Sequence, residues 1–119
     1  MEPLVLIAED DPSVRMTIEL VLAGEGFRTL LAADGEEALR LASARLPDII
    51  LLDQNMPKLE GKEVVASLRR LDETKKIPVL VLSGRDWGSP AEWPGAHFVG
   101  KPFEPDDLIS RIRAALHSE

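Results

Sequence analysis

The sequence contains no cysteine, which excludes disulfides, a thiolate metal site and a cysteine nucleophile. It has two histidines, His97 and His117, too few and too scattered to build a zinc centre. Apolar runs such as residues 4–8 and 49–52 fall far short of the ~20 residues a membrane span needs, so no membrane insertion is expected. Positive charge is also scarce, with 14 basic against 21 acidic residues and a net charge of −7. Lysine and arginine are dispersed, with small pairs at Arg69-Arg70 and Lys75-Lys76. No basic stripe suits a phosphate backbone, and direct nucleic-acid binding by this chain is not expected. The opening Met1-Glu2-Pro3 lacks the basic region and apolar stretch of a secretory leader, so the expected location is the cytoplasm.

What is present is an ordinary globular composition, 119 residues of which 45% are hydrophobic, enough for one domain over 1–119 with one core. Five short apolar runs, at residues 4–8, 27–32, 49–52, 77–82 and 96–99, read as buried strands. Between them the apolar residues take helical spacing. Val14, Ile18, Val21 and Leu22 share a face in the first such stretch, and Leu39, Ala42 and Leu46 in the second. Val64, Leu68 and Leu71 do so in the third, and Leu108, Ile112, Ala115 and Leu116 in the last.

Asp11-Pro12 supplies an N-cap and a first-turn proline, with Gly24 and Gly26 stopping that helix. Asp34 and Glu37 have capping-box spacing, and Pro47 ends the second helix. This alternation predicts an α/β fold: a five-stranded, parallel, doubly wound sheet covered on both faces. One stretch breaks the rhythm. Residues 83–95 read SGRDWGSPAEWPG where a helix is due, so a loop with at most one short turn around Ser89–Glu92 is expected.

In an open parallel sheet, ligands bind beyond the carboxyl ends of the strands. Those ends carry Glu9-Asp10-Asp11, Asp53, Ser83 and Lys101. Clustered carboxylates repel unless separated, protonated or neutralised by a cation. With oxygen donors and neither histidine nor cysteine, the expected ion is Mg²⁺. A carboxylate beside that ion, with an ammonium and a hydroxyl nearby, suits acceptance of a phosphoryl group, Asp53 being the nucleophile.

The segments LVLIAEDDP, PDIILLDQNMPKLEG, IPVLVLSG and FVGKPF, in this order, resemble the receiver domain of two-component response regulators over essentially the whole chain. The resemblance implies a flavodoxin-like sheet of strand order 2-1-3-4-5. It also implies that Asp53 is the phosphoacceptor, served by a histidine kinase or a histidine phosphotransfer protein. On the same resemblance, Asp10 and Glu9 hold Mg²⁺ with Asp53, and Asn55 contributes its backbone carbonyl. Ser83 corresponds to the hydroxyl that moves toward the phosphoryl group, Lys101 to the lysine that pairs with it, and Lys101-Pro102 to a cis peptide. Phe98 falls at the aromatic switch position, although a phenylalanine in a short strand also reads as core.

Two other classes compete with this reading. A pseudo-receiver would bind proteins without using phosphate. An aspartate-nucleophile phosphatase of the haloacid dehalogenase type would need a second acid two residues after the nucleophile, where this chain has Asn55. Ser83 and Lys101 are 18 positions apart, about four fewer than the resemblance leads one to expect. The shortfall lies in the helix before the fifth strand, on a face that receivers use for dimers and effectors, so a monomer with altered partner choice is expected. Trp87 and Trp93 both lie in this segment and are expected to plug the apolar surface the missing helix leaves, the alternative being a partner surface. His97 is expected to be a surface or half-buried strand residue.

Overall fold

The computed structural model describes residues 2–54, 56–84 and 88–117. Five strands, β1 (Leu4–Ala8), β2 (Arg28–Ala32), β3 (Ile49–Asp53), β4 (Val79–Ser83) and β5 (Ala96–Gly100), form one parallel sheet of order β2-β1-β3-β4-β5. The helices are α1 (Pro12–Gly24), α2 (Gly35–Arg45), α3 (Gly61–Arg70) and α4 (Pro105–Leu116). Between β4 and β5 the described residues hold one 3₁₀ turn, Pro90–Glu92. The expected loss of a helix there is therefore observed.

Strands β1, β3, β4 and β5 split their apolar residues between two cores, as a period of two requires. Leu6, Ala8, Ile50, Leu52, Val79 and Val81 face α2 and α3 and pack with Ala38, Ala42, Val64, Val65 and Leu68. Val5, Ile7, Ile49, Leu51, Leu80 and Leu82 face α1 and α4, against Ile18, Leu22, Leu108 and Ile112. Each fully buried leucine or isoleucine contributes roughly 1.5–3 kcal/mol, so both faces must be covered.

The helix starts follow local chemistry. Asp11 Oδ1 accepts from Ser13 N at 2.9 Å and Val14 N at 3.4 Å, with Pro12 at the first helical position. Asp34 Oδ1 accepts from Glu37 N at 2.8 Å, but the Glu37 carboxylate reaches back to Ala33 N, also at 2.8 Å, one residue further than a regular capping box. Two helical assignments need correcting. Leu46 is not on the inner face of α2: it is the C-cap, left-handed at φ 46°, and 51% exposed. Leu71 likewise lies past the last turn of α3 as its C-cap, extended and largely exposed, so the inner face ends at Leu68. Phe27 precedes β2 and is buried beneath the Arg113 guanidinium, 5.3 Å from its ring centre.

Candidate functional site

The carboxyl ends of β1, β3, β4 and β5 meet at one rim because parallel strands all point the same way. Asp53 is the last residue of β3 and 7% exposed; its Oδ1 accepts from Lys101 Nζ at 2.8 Å. Lys101 follows β5, where its backbone N–H donates to Ser83 O at 2.8 Å. The Lys101–Pro102 peptide is cis. Ser83 closes β4 opposite Gly100 and is buried. His97, one strand turn away on β5, is exposed.

Three consecutive acids follow β1, and they take three different positions. Asp11 caps α1, Asp10 is exposed, and Glu9 turns inward to 1% exposure. Glu9 Oε2 accepts from Asp11 N at 3.2 Å, while Oε1 is buried without a hydrogen-bond partner, 3.8 Å from Lys101 Nζ. One carboxylate oxygen from each of Glu9, Asp10 and Asp53 lies within 4.8 Å of the other two. Ionised carboxylates at that spacing repel by ~3 kcal/mol at an effective dielectric of about 20.

The electrostatics follow from burial. Desolvation pushes the Glu9 carboxyl up to about 7, the Asp53 charge adds to the rise, and the Asp11 N–H and Lys101 oppose it. For Lys101, burial favours the neutral amine, but the Asp53 hydrogen bond and the charges of Asp53, Glu9 and Asp10 outweigh it and raise its pKa. A buried carboxylate oxygen lacking a donor, inside an all-oxygen cluster, fits a hard divalent cation. Asn55, the fourth expected ligand, lies outside the described residues.

The loop after β3 is braced from both sides. Gln54 N donates to Leu82 O at 3.1 Å, Gln54 O accepts from Gly61 N at 3.1 Å, and Gln54 Oε1 accepts from Gly84 N at 3.2 Å. A Cβ on Gly61 would stand 2.9 Å from both Asp53 O and Gln54 O and 3.2 Å from Trp93 Cη2, so only glycine starts α3 there without displacement. At the other side Gly35 abuts Leu59, and Lys58 Nζ is 3.6 Å from the Asp34 carboxylate.

Gln54 and Gly61 were not singled out by sequence. A glycine at a helix start, eight residues beyond the candidate nucleophile, was the signal that could have found Gly61. Trp93 is buried, with its ring edge-on to Phe98 at 5.7 Å between centroids, so it fills the apolar gap as expected. Phe98 is partly buried against the α2–α3 core. Trp87 lies outside the described residues.

The fold is that of a receiver. Residues 5–113 match the family model described as the response regulator receiver domain, and the chain belongs to that family. Among curated proteins, it is 41% identical over 118 residues to the transcriptional regulatory protein PrrA of Mycobacterium tuberculosis, covering 96% of this chain and 50% of that protein. It is 34% identical to the DNA-binding response regulator MtrA of Mycolicibacterium smegmatis, covering 98% of this chain and 51% of that one. The chain thus spans about half the length of these relatives.

Among solved structures, a response regulator from Chloroflexus aurantiacus superposes with TM-score 0.90 at 32% identity, covering 99% of this chain and 100% of that one. The receiver domain of sensor histidine kinase PA1611 from Pseudomonas aeruginosa, with a magnesium ion in its active-site cleft, superposes with TM-score 0.91 at 26% identity over the same shares.

Proposed function

We propose that this chain is a phosphoryl-accepting switch whose nucleophile is Asp53. The supporting observation is that carboxylate itself: nearly buried at a strand end, held by Lys101 at 2.8 Å, and beside a buried Glu9 oxygen that accepts no hydrogen bond. A carboxylate oxygen of Asp53 attacks the phosphorus of a phosphohistidine on a histidine kinase or histidine phosphotransfer protein. The phosphorus–nitrogen bond breaks, its electron pair leaves with the imidazole, and an acyl phosphate forms on Asp53. Lys101 Nζ, already bonded to that carboxylate, neutralises charge on the incoming oxygens, and the Ser83 hydroxyl donates to one of them. Water later hydrolyses the acyl phosphate and restores the carboxylate.

Glu9, Asp10, Asp53 and the Asn55 carbonyl would hold Mg²⁺, which when bound offsets negative charge on the phosphoryl oxygens. Binding to the folded state alone should stabilise it by ~1.4 kcal/mol at ten times Kd. A melting temperature unmoved by high millimolar Mg²⁺ would contradict these ligands. Asp53→Ala should abolish labelling by a small acyl phosphate donor. Undiminished labelling of that variant would show that the acceptor lies elsewhere. Of the curated relatives, PrrA is named a transcriptional regulatory protein and MtrA a DNA-binding response regulator; on the present reading this domain supplies the phosphorylation-dependent signal and does not itself touch DNA.

A further inference from the structure

Residues 88–95, which lead into β5, are tied to α3. Glu92 Oε1 accepts from Lys62 Nζ at 3.2 Å, and Glu92 Oε2 accepts from Ser89 N at 3.2 Å. Arg69 Nε donates to Pro94 O at 2.9 Å, and a second guanidinium nitrogen, Nη2, reaches Gly95 O at 3.4 Å. The remaining nitrogen, Nη1, donates to Lys75 O at 3.1 Å and Ile77 O at 2.8 Å. Residues 88–95 therefore form a strap fastened at both ends of one helix. Between the fastenings, Trp93 drives its ring edge onto Gly61, where the indole, Asp53 O and Gln54 O converge in a space too small for a methyl group. Trp93 is 3% exposed and packs edge-on against the Phe98 ring.

We infer that Trp93 is a positioning residue for the phosphoacceptor: through Gly61 it seats the end of β3, and its surroundings change when Asp53 carries a phosphoryl group. The inference rests on the reading of Asp53 given above. Its physical basis is solid packing. Asp53 O, Gln54 O and the indole edge border one small space at Gly61, so a shift of the Asp53 backbone changes the packing beside the indole, and by linkage a ligand on the strap biases the acceptor.

The test uses the full chain carrying Trp87→Phe, so that emission comes from Trp93. Stoichiometric labelling by a small acyl phosphate donor with Mg²⁺ is measured on the same sample as Trp93 emission and its quenching by acrylamide. The expected result is a shift in both that follows the labelled fraction and reverses as the label is lost. Trp93→Leu, compared at equal near- and far-ultraviolet dichroism, should label about tenfold more slowly, and Trp93→Phe should restore the rate to within about twofold. Full labelling with unmoved emission and quenching would overturn the role of Trp93, as would an unchanged labelling rate in Trp93→Leu. Failure of both the unmodified chain and the Trp87→Phe protein to label would overturn the assignment of Asp53 and this inference with it.

Discussion

One face of the sheet lies beneath two full helices, α1 and α4, whereas the other carries α2, α3 and a strap whose regular structure is a single 3₁₀ turn. Yet strands β3 and β4 are buried throughout on both sides. The helical face achieves this with several aliphatic side chains per helix. The other face does it with side chains of α2 and α3 and one indole from the strap, which is held by bonds from α3 to its main chain and to Glu92. A single large side chain, fixed by hydrogen bonds outside the core, thus helps to cover β3 and β4, while Ala96 and Phe98 of β5 stay only partly buried.

The contrast can be broken most forcefully at Trp93. Trp93→Ala should destabilise by ~3–5 kcal/mol in urea denaturation. Ile112→Ala on the helical face should cost ~2–5 kcal/mol, so one strap residue should match or exceed a central helical one. A loss below 1 kcal/mol at Trp93 would show that the strap is not a structural equivalent of the helix.

The rim between the two faces gives the next effect. Glu9 titrates near 4.5 when unfolded and about 7 when folded, so below 4.5 it is protonated in both states and contributes no difference. As pH rises through that interval the unfolded chain loses the proton first, and stability falls by on the order of 3 kcal/mol before levelling off. Melting curves without divalent ions should show this fall relative to Glu9→Gln, and saturating Mg²⁺ should flatten it.

Arg69→Met should cost ~1–3 kcal/mol, because carbonyl oxygens at Ile77, Pro94 and Gly95 lose their donor. Lys62→Ala, which removes an ion pair between two exposed side chains, should cost less than Arg69→Met. Together these rank the fastenings of the strap, and equal losses at both positions would contradict the ranking.

Much of this was legible in the residues themselves. Short aliphatic runs separated by amphipathic stretches leave few alternatives to a parallel sheet, and the ends of those runs locate the rim. The paired glycines and prolines of 83–95 announced the missing helix. Other features were set by geometry that spacing does not encode. Of three consecutive acids, Glu9 is the one turned inward, because the following turn commits Asp11 to the start of α1. Leu46 and Leu71 continue the apolar period but fall one residue past their helices, where the backbone leaves the helical path. Arg69 looked like half of a small basic pair, and nothing in its neighbours shows that its guanidinium serves only main-chain carbonyls in the described residues.

The two fastenings of the strap differ in kind, and so they should respond differently to ionic strength. The Lys62–Glu92 contact joins two opposite charges in the open, with side chains 47% and 43% exposed, and a screening length of ~3 Å at 1 M salt leaves it little attraction. Arg69 grips neutral dipoles from a half-buried position, where mobile ions have no opposite charge to displace. Concentrated salt should therefore loosen only the Lys62–Glu92 contact, while the strap stays pinned by the buried Trp93 and by Arg69 at Pro94 and Gly95.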